Sequence, residues 1–376
     1  MSYSVTGGTD KRAEAIHAMS RAAYQAAGGT LDTAERYAAG DFLGESWADV
    51  ARRFLGWQGI DARGLDNDSV VGRAWDEGIR AGATTATLPG FVASVFTLSV
   101  GRAYSRTQNF ARRLCRMVPV KDFRTGQHVI VDGVSSLSLV SEGGTFTAPT
   151  LSDRTEALRP RTYGANVPIS RHVALAGDVR AIVAAGDMAG RAARNVEDDL
   201  LVDLLLQNSQ TGPTLNADST VLFHTSHANI VTSGAAPSVA TLQTGMAAIR
   251  KQTDAQSVRV QNIAPKFLVC PAALEVTARV IVASLYNAAA ADNLEVIPAA
   301  RLDSTNPAGW YLCGDPNLCD TFALSFIGDP DATEPEPAVF QPQGMGWASD
   351  AVIFKVRHDV GVSALDFRGA FYNDGA

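Results

Sequence analysis

Apolar residues recur at helical spacing from Val179 to Gln207. Val179, Ile182, Val183, Met188, Ala189, Ala192, Ala193, Val196, Leu200, Leu201, Leu204 and Leu205 form one continuous stripe on a 3.6-residue period. The stretch holds no proline and only two glycines. At ~1.5 Å per residue the helix is roughly 43 Å long, well beyond an average globular helix. Asp178 stands at the N-cap position, and Asn208 with Thr211-Gly212-Pro213 supplies a stop. A helix of this length needs other elements laid along it.

Before it, residues 1–80 read as short helices with small-residue faces. Thr9–Ala27 ends at Gly28-Gly29. Asp32 and Glu35 have capping-box spacing. Ser46–Trp57 places Trp47, Val50, Ala51, Phe54 and Leu55 on one face. Pro89 opens a helical stretch from Gly90 to about Cys115. These leading helices cannot bury their faces on one another for long; they need a second surface, either the rest of the chain or a neighbouring subunit, and the neighbour is the expectation. From Val118 to Ser170 the texture turns to alternation and β-branched residues, punctuated by Gly143-Gly144 and Pro149. Ser141–Pro160 has few large apolar residues and reads as a long exposed hairpin arm. Such a ribbon is marginal alone in water and needs something to lie on.

After the long helix, strands alternate with helices over residues 220–340, an α/β or α+β pattern. Val239–Thr253 reads as a helix, Lys266–Cys270 as a strand, and Pro271–Ser284 as a helix. Leu294–Ile297, Trp310–Cys313 and Thr321–Ile327 read as strands. Asp350–Tyr372 is strongly β and must return beside the long helix.

Composition changes this picture little. The chain has 376 residues, 46% hydrophobic and 19% charged, which fits an ordered protein of two or three subdomains. The formal net charge of −7 argues against a dedicated nucleic-acid-gripping module. Lys11, Lys121, Lys251, Lys266 and Lys355 are the only lysines; the other basic residues are arginines. Cys115, Cys270, Cys313 and Cys319 match no zinc spacing and read as reduced and buried. No apolar run follows a basic start in residues 1–30, and no run is long enough to cross a membrane, so a cytosol-like compartment is expected.

Candidate chemistry is thin. His224-Thr-Ser-His227 offers either two metal ligands or Ser226 as a nucleophile with a histidine base. No acidic or cysteine partner lies close by, so side chains bonding the local backbone are the favoured reading. Arg357 and Asp359 share one face of a strand and His358 the other, which reads as a salt-linked strand rather than a triad. Glu197-Asp198-Asp199 reads as a solvated helix face rather than a cation site. Trp47, Phe54 and Trp57 read as core or interface packing. No dinucleotide, phosphate-loop or zinc-finger pattern is present. No cofactor or metal is implied, and nothing argues for an enzyme.

An ordered series of segments resembles the major capsid proteins of tailed bacteriophages, in particular the branch of Mu-like major head subunits and capsid proteins fused to a prohead protease. The series comprises VPVKDFR (Val118–Arg124), SEGGTFTAPTLSD (Ser141–Asp153), RTYGANVPISRHVALAGD (Arg161–Asp178), MAGRAARNVEDDLLVDLLLQN (Met188–Asn208), LFHTSH (Leu222–His227), LEVIPAARLD (Leu294–Asp303), WYLCGDP (Trp310–Pro316) and FKVRHDVGVSALDFRG (Phe354–Gly369). It runs from about residue 84 to 373. The resemblance implies an α+β fold of the Hong Kong 97 type. Its parts would be an N-terminal helical segment (1–83), an arm helix (84–118), an extended loop (119–170), a peripheral domain with the spine helix (171–219), an axial domain (220–340) and returning peripheral strands (341–376). It further implies hexamers and pentamers of the chain closing an icosahedral shell around double-stranded DNA, assembled in a bacterial cytoplasm. Portal, scaffold and decoration proteins would be further partners. Gly143, Gly144, Phe146, Arg154, Trp47 and Phe54 are the expected assembly contacts. The loop from Gln127 to Arg171 has no lysine, so no lysine–asparagine crosslink is expected through it. An encapsulin-like compartment shell is the alternative of like fold, and a Ser/His hydrolase at 224–227 the alternative of another class.

Overall fold

The computed structural model describes residues 7–80, 87–132, 152–254, 259–285, 294–327, 336–337 and 351–375. In chain order its helices are α1 (Gly7–Ala26), α2 (Thr33–Ala39), α3 (Trp47–Trp57), α4 (Asn67–Arg80), α5 (Leu88–Arg106), α6 (Ala111–Leu114), α7 (Arg171–Leu175), α8 (Val179–Gln210), α9 (Val239–Arg250) and α10 (Glu275–Leu285). The strands are β1 (Cys115–Val120), β2 (Gly126–Asp132), β3 (Ser152–Leu158), β4 (Arg161–Ser170), β5 (Ile230–Val231), β6 (Pro265–Cys270), β7 (Glu295–Pro298), β8 (Trp310–Gly314), β9 (Phe322–Ile327), β10 (Glu336–Pro337), β11 (Ala351–Ala364) and β12 (Ala370–Asn373). The fold class is α+β, as expected.

Local signals explain the helix starts. Asp32 and Glu35 close a capping box at α2, and Ser46 accepts from Asp49 N–H at α3. Thr87 caps α5, with Pro89 in its first turn. Asp178 Oδ1 accepts from Ala181 N–H at 3.2 Å to open α8. Helical dihedrals in α8 end before Gln207, where ψ is 154°; Asn208 and Ser209 then have positive φ. The expected single helix from Gly90 to Cys115 is instead α5, a break, and the short α6. Asp198 caps the N–H groups of Phe110 and Ala111 there.

Two units divide the chain. The first comprises residues 1–108, 162–194 and 334–358; the second comprises 109–161, 195–333 and 359–376. The first unit corrects the expectation for the leading helices. Tyr24, Phe54, Trp75, Phe91 and Phe96 are each at most 2% exposed and share one core with Ile182, Val352, Phe354 and Val356. Phe96 stacks on Phe354 with centroids 4.5 Å apart. α1, α3 and α4 therefore bury their apolar faces within their own chain. The partner that local reading could not supply is α5 and the alternating inward side chains of β11. In this unit β11 pairs with β4 and, at Val356 and Arg357, with β10. The helices α5 and α8 approach closely through two glycines. A Cβ on Gly186 would lie 1.8 Å from Ser99 Oγ, and one on Gly190 would lie 2.3 Å from the Val100 carbonyl oxygen.

In the second unit, β1 runs parallel to β9, and β9 pairs antiparallel with Val360–Ala364 of β11. A further sheet has the order β5-β12-β8-β6-β7. Leu242 and Ile249 of α9, Ala278 and Val282 of α10, and Trp310, Leu312 and Phe371 of that sheet bury one another. The strands β2 and β3 form a separate antiparallel hairpin in register from Gly126↔Leu158 to Asp132↔Ser152.

All four cysteines are free and buried. Burial pushes the Cys270 thiol up to about 11 and the Cys313 and Cys319 thiols up to about 12. Cys115 is raised too, by burial first and then by neighbouring Cys313, Glu197 and Asp198. Thiolate is the reactive species. Iodoacetamide at about pH 8 is expected to leave all four unlabelled in the folded chain and to label all four in guanidinium; mass spectrometry reads the difference.

Candidate functional site

The structure concentrates its unusual polar contacts at the root of the β2–β3 hairpin. Glu156 is buried, and its two carboxylate oxygens accept from Asn216 N–H (2.9 Å) and Ala217 N–H (3.0 Å). The next residue of that loop, Asp218, meets His227 Nε2 through Oδ2 at 2.6 Å. His227 Nδ1 is directed at the Leu222 carbonyl at 3.1 Å, so both ring nitrogens face oxygen acceptors. The imidazole lies flat on Phe367, centroids 3.9 Å apart and planes 5° apart. The Arg368 guanidinium carbon lies 5.4 Å from the Phe367 ring centroid. Arg368 pairs with Asp366, and Asp366 pairs with Arg154 on β3. Leu158 adds an apolar contact in a small cluster with Ala323 and Leu365. These contacts make a closed circuit from β3 through the 216–218 loop, His227 and residues 366–368 back to β3. On these same rungs the other strand is open: Val129, opposite Thr155, is 51% exposed.

The circuit gives each sequence candidate a place. His227 is a 6%-exposed anchor. Asp218, nine residues upstream, is the acidic partner that local inspection missed. Ser226 Oγ lies 2.7 Å from His224 Nδ1, which also accepts from Ser226 N–H at 3.2 Å. Serine and aspartate thus serve different histidines, and no nucleophile–base–acid relay is assembled. Among the described residues no cluster of three or more His, Cys, Asp or Glu side chains suits a metal ion. His358 is buried against Tyr104, centroids 5.5 Å apart.

Of the expected assembly contacts, Gly143, Gly144 and Phe146 lie outside the described residues. Arg154 is engaged at home by Asp366, their side chains 14% and 9% exposed. Phe54 is 1% exposed inside the first unit's core, which leaves it no surface for a neighbour. Trp47 is half-buried, tilted against Phe91 at 5.7 Å.

The 197–199 expectation is corrected. Glu197 is fully buried and pairs with Arg112 Nε at 2.9 Å, and it accepts from Asn109 Nδ2 at 3.1 Å. Asp198 caps α6. Only Asp199 stays on the solvated face, beside Arg301 at 3.4 Å. The missed signal is positional: Glu197 stands four residues from both Ala193 and Leu201, inside the apolar stripe.

Burial raises the Glu156 carboxyl above its ordinary range, against the opposing pull of the two backbone N–H groups. A raised folded-state value means the folded chain holds this proton more tightly than the unfolded chain. The contribution is complete below the ordinary carboxylate range and is lost as pH rises through the raised value. Urea midpoints compared between the unmodified chain and Glu156→Gln from about pH 4 to 8 should show the unmodified chain losing ground as pH rises.

A family model described as phage capsid protein matches residues 154–373. No curated protein sequence matches the chain. Among solved structures, the virus-like particle from Pyrococcus furiosus is 9% identical over 74% of this chain and 97% of its own, with a TM-score of 0.42. A structure from Mycobacterium phage Adephagia is 12% identical over 71% of this chain and 89% of its own, TM-score 0.43. The holo-SrpI encapsulin complex from Synechococcus elongatus is 10% identical over 70% and 85%, TM-score 0.41.

Proposed function

Because the chain belongs to the phage capsid protein family and is a component of a phage shell, we propose that it is the major head subunit, closing as hexamers and pentamers around double-stranded DNA. In this reading α8 is the spine of the Hong Kong 97-type fold, and the β2–β3 hairpin is its extended loop. The observation that carries the reading is the hairpin. Its strand β3 is fixed by Arg154, Glu156 and Leu158, while β2 beside it leaves Val129 exposed. A hairpin held along one strand and open on the other presents a preset edge to a neighbouring copy. The net charge of −7 suits enclosure of a polyanion without tight grip. The subunit acts by packing rather than by catalysis, and it assembles in the host cytoplasm.

Negative-stain microscopy and light scattering of the purified full chain test this. Closed shells with fivefold and sixfold clusters are expected, at a mass many times the 39.7 kDa of one chain. A stable monomer would overturn the assembly reading. Shells formed beside the packaging machinery should retain nuclease-resistant DNA; shells that instead enclose protein cargo would transfer the reading to a compartment shell. Arg154→Ala, which frees one side of the hairpin root, should reduce the assembled fraction while leaving the far-ultraviolet circular dichroism spectrum unchanged.

A further inference from the structure

The first unit contains a cavity of about 340 Å³ between α1, α3, α5 and the start of α8. That volume lies within the range of small-molecule sites. Its walls are mainly apolar: alanines of α1, with Met19, Phe42, Val50 and Phe91. Two lining side chains break that pattern. Trp47 Nε1 and Glu45 Oε2 are buried, and neither has a hydrogen-bond partner in the protein. A buried indole N–H ordinarily finds an acceptor, and a carboxylate oxygen a donor. The glycine turn before α8 holds Trp47 in this position: Gly177 has φ +66°, and a Cβ there would meet Trp47 Cγ at 2.5 Å.

Charge narrows the ligand. The other Glu45 oxygen pairs with Arg53, whose guanidinium lies over Phe42. Asp178 and Arg180 both line the cavity, so its fixed charges balance. The amino end of α8 is already capped by Asp178. An anion would meet two carboxylates, Glu45 and Asp178, against the single cation of the lining, Arg180. Trp47 Nε1 asks for an acceptor and Glu45 Oε2 for a donor, and a hydroxyl is the smallest group that provides both.

We infer that this cavity binds a neutral amphipathic alcohol, its hydroxyl accepting from Trp47 Nε1 and donating to Glu45 Oε2. The inference stands apart from the shell reading, because it uses only contacts inside the first unit.

The test uses the full chain and two molecules of equal heavy-atom number, 4-phenylbutan-1-ol and pentylbenzene. Saturation-transfer NMR with competition titration gives both affinities. The alcohol is expected to bind at least about fivefold tighter than the hydrocarbon. Trp47→Phe keeps the ring against Phe91 and removes the donor, so it should bring that ratio towards one. Ala23→Leu fills the space from the α1 side and should abolish both signals, an outcome that does not depend on the Trp47 variant folding. Absence of binding by either molecule means that water alone satisfies the pair and overturns the inference. Equal affinities, or an alcohol preference that survives Trp47→Phe, overturn it as well.

Discussion

Replacing Glu197 with alanine is expected to destabilise the chain by about 3–5 kcal/mol, the cost of leaving a buried charge without its partner. Glu197 has no exposed side-chain surface, and the Arg112 side chain is 15% exposed. Arg112 meets both carboxylate oxygens, Nε at 2.9 Å and Nη2 at 3.2 Å, and its guanidinium carbon lies 5.0 Å from the Phe326 ring centroid. The guanidinium is therefore held in place and cannot swing to water without giving up its packing. Glu197→Gln keeps the shape and one acceptor and should cost less. Replacing both residues with methionine should recover most of the loss, since a buried ion pair exchanged for well-packed apolar groups is often neutral. Urea unfolding of the three variants gives the comparison. A loss below about 1 kcal/mol for Glu197→Ala would mean that water reaches the pair.

The second large effect reverses a familiar sign. Glycine to alanine inside a helix normally stabilises by about 1 kcal/mol. Gly190→Ala should instead destabilise by roughly 1–3 kcal/mol or more, because overpacking dominates. The new methyl would lie 2.3 Å from the Val100 carbonyl oxygen and 3.0 Å from Tyr104 N, both backbone atoms of α5 that move only if the helices part. Gly186→Ala meets Ser99 Oγ first, at 1.8 Å, but that is a side-chain atom. Combining it with Ser99→Gly should restore most of the loss, whereas no single side-chain change on α5 should rescue Gly190→Ala. Thermal melts rank the variants, and a stabilised Gly190→Ala would refute the close approach.

Much of this architecture is legible from periodicity. The stripe from Val179 marks α8, and the alternation of Val352, Phe354, Val356 and His358 marks β11. What periodicity could not give is which surface covers which. The leading helices looked unpartnered because their cover, α5 and β11, lies far away in sequence. Glu197 was assigned to solvent by its type, although its register placed it in the stripe. Gly186 and Gly190 are the two glycines of the Val179–Gln207 stretch, and their spacing of four puts them on one face, as close helix contact requires. At the hairpin root, LFHTSH stood out as a motif, but Asp218 and Phe367 gave it meaning, and neither adjoins it in sequence. The remaining assembly candidates, Gly143, Gly144 and Phe146, stay an expectation of the resemblance.

The circuit at the hairpin root also sets an order of events during synthesis. Arg154 and Asp366 are 212 residues apart. Leu158 likewise waits for Leu365, and His227 for Phe367. A growing polypeptide that has left the ribosome through residue 300 already carries both hairpin strands but lacks half of their mooring. The hairpin therefore acquires these anchors only after translation has passed residue 368.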